Sequence, residues 1–213
     1  TYMTPADVPI DLVSPEGVPL KVLSQPKPAD DNTGAPDAVM LAKAGWREQV
    51  GDAAGIWVSV PAQKLYVIEN GNVRWSTACS TALNGVGALA DSGKTPSGWH
   101  KIAKKIGEHE PLGRIFEARA PTSKVWKPGD ETVEDLVLTR IFLLDGLEPG
   151  VNKGRNEQGQ NVDSRDRFIY IHGTNDEDNL GRPVSHGCIR VSNEAVLALF
   201  ELIPEGTLLF IEP

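Results

Sequence analysis

Within residues 168–191, FIYIHGTNDEDNLGRPVSHGCIRV, one thiol, two imidazoles and two guanidiniums are gathered. A cysteine attacks as its thiolate, so it needs a neighbour that takes its proton or lowers its pKa from about 8.5. Cys188 has two such neighbours: His172, 16 residues upstream, and His186, two residues before it. If the segment is extended, His186, Cys188 and Arg190 share one side while Ile189 and Val191 face a core. His172 ends an apolar run that reads as a strand, and a strand end holds a side chain in one direction. It is the expected general base. Gly187 permits close backbone approach, and the N–H groups of Gly187 and Cys188 are oxyanion donors provided no sheet ladder uses them. Arg190 supplies a planar donor fork suited to a carboxylate. Together these groups describe acyl transfer on a peptide-like substrate.

The same residues admit other chemistry. Cys188 on its own is equally a buried structural thiol. His172, His186 and Cys188 are three zinc-ligand types with a fourth position open, but their spacing matches no recognised zinc pattern, so no metal is expected. A Cys79–Cys188 disulfide in an oxidising compartment would silence the nucleophile. The acidic run Asp176-Glu177-Asp178 is either a calcium site or, more simply, an exposed loop. His100 and His109 fall on a strand and a loop with no catalytic partner in sequence.

The elements that must position these groups are mostly strands. Residues 56–60, 64–69 and 72–79 alternate with period two, and Asn70-Gly71 suits the positive-φ positions of a type I′ hairpin between the last two. The turn 93–98 leads to a strand over 99–103, the apolar run 136–144 reads as a buried strand, and 168–172 and 208–211 follow. Arg140 is the one charge inside 136–144, so it needs a partner or a role in the site. Residues 146–161 are rich in Gly and Asn and read as loop. Val196, Leu199, Phe200 and Ile203 recur at helical spacing after a cap at Ser192 or Asn193, and Pro204 with Gly206 stops that helix. Packed against the sheet, it would fix the segment just before it, 185–191.

Two regions are less regular. Seven prolines crowd residues 1–36, so this stretch is expected to be an extended arm or a flexible tail; a helix over 37–50, capped by Asp37, is interrupted at Gly45. Residues 1–50 are thus assigned to an N-terminal arm or linker and 51–213 to one catalytic domain. Residues 101–127 hold seven bases against three acids and little periodicity, so they form either a lid that draws in a carboxylate-rich substrate or a solvated loop.

Composition bounds the rest. At 213 residues there is room for one full core. The many Gly and Pro residues, 21 and 16, favour a turn-rich β fold over a helical bundle. A net charge of −8 with no basic stripe argues against nucleic acid and anionic lipid as partners. No run of about 18 apolar residues is present, so no membrane span is expected. The start at Thr1 lacks a signal-peptide pattern, which fits a trimmed secreted form and a cytosolic protein alike.

The residues His172-Gly173-Thr174-Asn175, Gly181 and Ser185-His186-Gly187-Cys188-Ile189-Arg190 resemble the signature of the L,D-transpeptidase catalytic domain, or YkuD-type, family. Thr95-Pro96-Ser97-Gly98 resembles that family's second, shorter motif. The resemblance covers roughly 56–211. It implies a mainly β, sandwich-like domain with one or more short packed helices, acting on bacterial peptidoglycan in the periplasm or cell wall. By resemblance, Cys188 attacks a tetrapeptide stem after its third residue, releases D-alanine and forms a thioester. His172 is the base, oriented by the group at Gly173, which here has only its carbonyl to offer. His186 is secondary, Arg190 recognises a substrate carboxylate, and Ser185, Thr174 and Asn175 line the substrate site. The acyl group then passes to an amine of a second stem, giving a 3→3 cross-link, or to another acceptor such as a wall-anchored protein. No cofactor is implied, and carbapenems are expected inhibitors. Two alternatives stay open: a hydrolase of the same fold, acting as L,D-carboxypeptidase or cleaving cross-links, and a wall-binding module without turnover.

Overall fold

The computed structural model describes residues 32–213, and the proline-rich stretch 1–31 lies outside them. Asp37 caps helix α1 (Ala38–Ala44) by accepting from the Met40 N–H at 2.8 Å. Gly45, at φ 72°, ends it and opens α2 (Trp46–Gln49). The helix expected over 37–50 is therefore two short pieces divided at the expected glycine. Trp46 is buried, its ring 5.9 Å from Trp57 and 5.7 Å from Trp99, and Trp99 Nε1 donates to the Ala44 carbonyl at 2.9 Å. One indole thus docks both helices, and the packed body reaches N-terminal of residue 51.

The strands are β1 (Gly55–Ser59), β2 (Lys64–Glu69), β3 (Asn72–Ala78), β4 (Gly98–Ile106), β5 (Arg114–Glu117), β6 (Ala120–Val125), β7 (Val137–Gly146), β8 (Tyr170–Gly173), β9 (Ile189–Val191) and β10 (Leu208–Glu212). The β2–β3 turn has Asn70 at φ 52° and Gly71 at φ 73°, as the Asn-Gly pair predicts. All ten join one mixed sheet in the order β3-β2-β1-β10-β4-β7-β5-β6, with β8 on β7 and β9 on β8. β1–β10 and β8–β9 are parallel, and the other pairs are antiparallel. The β8–β9 branch meets the β3 end of the path. Just past β3, Ser80 N–H donates to Arg190 O and Arg190 N–H to Ser80 O, each at 2.9 Å.

The sheet therefore curls around one main core. Ile56, Val58 and Leu65 from one end share it with Phe142, Ile171, Ile189 and Val191 from the other. Helix α3 (Asn193–Leu202) fills its middle, capped by Ser192 and burying Val196, Leu199 and Phe200, with Ile203 just beyond its end. A mainly β domain with a few short helices is thus what the chain forms.

Residues 101–127 differ from the lid or loop expected of them. They hold the end of β4 and the hairpin β5–β6, joined to the sheet through Ile115↔Leu138 and Phe116↔Val137. Phe116 is the one buried side chain of β5, and β6 buries none, so no apolar alternation marked these strands. Arg140 in β7 meets its need for partners with the carbonyls of Thr139 at 2.6 Å and Glu110 at 2.7 Å, away from the cysteine. His100 is fully buried, with Nδ1 donating to Gly98 O at 2.9 Å and Nε2 2.7 Å from Ser164 Oγ. Burial pushes its pKa down to about 4, so it is a neutral structural group.

Trp46→Ala should remove the one fully buried side chain that docks the two helices, leaving the Trp99–Ala44 hydrogen bond and the partly buried Met40 and Leu41. We expect a loss of about 3–5 kcal/mol in urea unfolding, as for large aromatic truncations in cores. An unchanged midpoint would mean that α1 and α2 add nothing to the packed body.

Candidate active site

β7, β8 and β9 place their side chains in two rows on one face of the sheet. Ile106, Ile141, His172 and Arg190 are in register across β4, β7, β8 and β9. Two residues back along β8 the neighbouring row is Lys104, Leu143 and Tyr170, and Cys188, just before β9, packs against Leu143 and Tyr170 at its end, its Sγ reached by the Tyr170 N–H. Alternation sends Ile171, Ile189 and Val191 to the opposite face, into the main core. His172 and Cys188 thus lie on one face in adjacent rows.

The thiol is held by backbone. Tyr170 N–H reaches Cys188 Sγ at 3.3 Å, and Sγ lies 3.3 Å from the Phe168 carbonyl. Phe168 sits at φ 57°, a left-handed conformation that costs a bulky residue free energy, and it is half-exposed beside the thiol. His172 Nδ1 lies 2.7 Å from the Gly173 carbonyl. A carbonyl only accepts, so Nδ1 carries the proton and Nε2 keeps its lone pair. At Gly173 a Cβ would stand 2.4 Å from Asn193 Oδ1 and 2.8 Å from Leu138 O. No side chain fits there, which leaves the carbonyl as the orienting group.

Burial pushes the Cys188 thiol up to about 11, against the opposing pull of the Tyr170 N–H and the Arg190 and Arg167 guanidiniums. Burial also pushes His172 below its usual value, opposed by the Gly173 carbonyl and the Asp135 carboxylate. At neutral pH the resting pair is thiol and imidazole, both uncharged.

The turn 185–188 is held from two sides. Ser185 Oγ donates to Cys188 O at 2.5 Å and lies 3.2 Å from the Gly187 N–H. Of the two amides expected to bind an oxyanion, that of Gly187 is therefore engaged, while that of Cys188 enters no loop or turn hydrogen bond among the described residues. Thr95 Oγ1 donates to Gly187 O and accepts from Ala82 N–H, both at 2.9 Å, so the Thr95–Gly98 motif braces the turn that carries Cys188. Gly187 has φ 134°, and a Cβ there would press on Ile169 at 3.2 Å and Lys94 O at 3.3 Å.

The remaining expected residues gather around a carboxylate that sequence reasoning did not single out. Asp135 Oδ2 accepts from Arg190 at 2.5 Å and lies 3.2 Å from His186 Nδ1. Asp176 stands 3.7 Å from Arg190 as well. The Arg190 fork thus holds the protein's own acids, and its buried Nε has no partner. His186 is exposed and turned to Asp135, apart from the thiol's hydrogen bonds. Thr174 and Asn175 use their side chains internally: Thr174 Oγ1 accepts from Asp176 N–H at 3.0 Å, and Asn175 bridges Leu136 N–H and Glu134 O, both at 3.0 Å. Asn175 thereby holds the loop that carries Asp135. In sequence Asp135 is one acid among three at 131–135, and 55 residues separate it from Arg190. Only its place just before a buried strand hinted at it.

Cys79 is fully buried and free, its thiol pushed up to about 12 by burial, and Cys188 is also free. Glu177 accepts from Asn193, and no cluster of three or more His, Cys, Asp or Glu suited to a metal occurs among the described residues.

The model of the YkuD family, described as the L,D-transpeptidase catalytic domain, matches residues 53–211. The chain belongs to this family. A putative L,D-transpeptidase, YqjB, of Bacillus subtilis is 43% identical over 65 residues, 30% of this chain and 37% of that protein. A probable L,D-transpeptidase, YbiS, of Escherichia coli K12 is 51% identical over 41 residues, 19% of this chain and 13% of that protein. The matched stretches are thus well under two thirds of those relatives. A solved L,D-transpeptidase fragment from Xylanimonas cellulosilytica aligns over 83% of this chain and 70% of its own, at 17% identity and TM-score 0.45. One from Mycobacterium smegmatis aligns over 76% and 60%, at 15% identity and TM-score 0.43.

In this L,D-transpeptidase domain the charge on Asp135 favours protonated His172, so Asp135→Asn should move the imidazole pKa further below 6.5. It should also cost about 1–2 kcal/mol of stability, because Arg190 keeps only the more distant Asp176. Proton titration of His172 by NMR reads the first effect. A titration unmoved by the substitution would reduce Asp135 to a structural anchor.

Proposed function

We propose that this domain catalyses cysteine-dependent acyl transfer on peptidoglycan tetrapeptide stems. The observation that carries the reading is the pairing of a backbone-held thiol with an imidazole whose Nδ1 is fixed on the Gly173 carbonyl, leaving Nε2 unprotonated. As Cys188 Sγ attacks the carbonyl of the stem's third residue, its proton passes to His172 Nε2. The oxyanion is met by the Cys188 N–H, with the Gly187 N–H joining if it leaves Ser185 Oγ. Collapse of the intermediate returns the proton to the departing nitrogen of D-alanine and leaves a thioester. An amine of a second stem then attacks, gives its proton to His172, and expels the Cys188 sulfur, which takes that proton back so that thiol and imidazole are restored. A 3→3 cross-link results. Arg190 meets a substrate carboxylate in this scheme by exchanging it for Asp135, and a wall-anchored protein amine is an alternative acceptor.

On this reading the enzyme acts outside the cytoplasm, at the wall. No helix among the described residues is long and apolar enough to cross a membrane. Carbapenems acylate by the same first step, so intact-mass analysis should show one adduct per chain, lost in Cys188→Ala.

Two measurements test the reading. Incubation with a disaccharide-tetrapeptide should yield a dimer lighter by one alanine, seen by mass spectrometry and absent with Cys188→Ala. A disaccharide-tripeptide alone would replace transfer by hydrolysis, and unchanged substrate would end the proposal. The kcat/KM profile supplies the second test. His172 must be neutral to accept the proton, and burial lowers its pKa from 6.5, so the rate should be flat at neutral pH and fall only on the acid side of 6.5. Loss of rate above pH 6.5 would contradict this assignment.

A further inference from the structure

Two clefts adjoin the segment 168–170, whose backbone holds the thiol, one through Phe168 and the other through Arg119 on Tyr170 Oη, and they differ in charge. The larger, about 660 Å³, runs past His186 and Phe168 and is lined by Asp91, Asp163 and Asp166 together with Arg155 and Arg167. Arg167 donates to the Lys94 carbonyl at 2.6 Å and Arg155 to the Gly159 carbonyl at 2.8 Å, so both guanidiniums are held by backbone and three carboxylates outnumber them on this side. The smaller, about 500 Å³, lies beyond Tyr170 and is lined by Lys104, Lys105, Arg119 and Arg165, with Glu108 as its single acid. Lys105 donates to the Phe200 carbonyl and belongs to the α3 face, and Arg165 stands 3.8 Å from Asp145. Arg119 lies with its guanidinium 4.5 Å over the Phe168 ring and 3.2 Å from Tyr170 Oη. That stack is the ridge between the two clefts, and both aromatic residues touch the thiol through their backbones.

Lys104 stands at the far end of the row Lys104, Leu143, Tyr170, with Cys188 packed at the other end. Three strand spacings of about 4.8 Å put the two ends roughly 14 Å apart, the reach of about four extended residues. The seven bases of 101–127 found no use as a lid, yet three of them line this one cleft of an acidic protein.

We propose that the cleft of Lys104, Arg119 and Arg165 binds a side-chain carboxylate of the acyl-donor peptide. The acidic cleft on the other side is then left to the amine-bearing acceptor. This rests on the acyl-transfer reading above and adds the direction in which the donor lies across Cys188. Electrostatic complementarity of this kind sets register and orientation, and it weakens with salt.

Binding is measured with Cys188→Ala protein, which holds the stem without turnover. Titration calorimetry compares a stem bearing free side-chain carboxylates with its amidated form, on this background and with Lys104→Gln/Arg165→Gln added. Neither substituted residue touches Tyr170 or the thiol. The free-acid stem should bind about tenfold more weakly to the substituted protein, and amidation alone should cost about as much. The two losses should not add, since both remove the same contact. Additive losses, no loss, or no detectable binding of the stem would overturn the proposal, as would a glycerol-phosphate oligomer binding the cleft in its place. Failure of acyl transfer itself is read separately, from turnover by the unsubstituted enzyme.

Discussion

Two backbone hydrogen bonds between Ser80 and Arg190 hold the catalytic segment to the far end of the sheet. β9 is only three residues long and would be a weak edge if it paired with β8 alone. Ser80 occupies its other edge, and Ser192, the next residue but one, caps α3. Cys188 is therefore fixed from three directions: by a parallel neighbour, by the opposite end of the chain's own sheet, and by a helix packed in the core. The same closure wraps the sheet around that core. The strength of the fold and the placement of Cys188 are thus one property.

Burial of the thiol has a chemical consequence. Raising it from an ordinary 9.0 to about 11 disfavours the thiolate by about 3 kcal/mol, so a standing thiolate–imidazolium pair is the less stable arrangement. In the acyl transfer proposed above, a neutral pair would defer charge separation until a substrate carbonyl is present to take the sulfur's electrons. The arginines nearby then have a defined part. Arg190 and Arg167 both favour the anionic sulfur, while Asp135 opposes it and favours imidazolium. Replacing Asp135 by a substrate carboxylate at Arg190 would keep that balance of charge nearly constant through binding.

Much of this was legible in the sequence, for identifiable reasons. Strands β1 to β3 were read because their apolar positions alternate and Asn70-Gly71 marks the turn. Helix α3 was read because one apolar stripe and a serine cap coincide. Cys188, His172 and Arg190 were read because their chemistry is unusual at that spacing, and they do share a face. What escaped depends on contacts rather than pattern. The β5–β6 hairpin buries Phe116 and little else, so nothing in its alternation betrays a strand. Trp46 docks two helices through rings contributed by Trp57 and Trp99, and no spacing predicts that meeting. Asp135 is ordinary in its own neighbourhood and becomes distinctive only when folding brings it to Arg190.

The Thr95–Gly98 motif shows why distant segments must fold together for the site to exist. One hydroxyl, that of Thr95, both receives the Ala82 N–H and gives its proton to the Gly187 carbonyl. Thr81 O and Ser185 N–H, and Ser185 O and Leu83 N–H, are joined at 2.9 Å in the same strap. A buried carbonyl left without such a donor costs about 1–3 kcal/mol, and several of these bonds converge on residues 185–190. The turn bearing the thiol thus has its conformation set by residues 79–95, about a hundred positions earlier in the chain. A fragment holding only the stretch 168–191 would contain every reacting group in order and still lack the contacts that aim them.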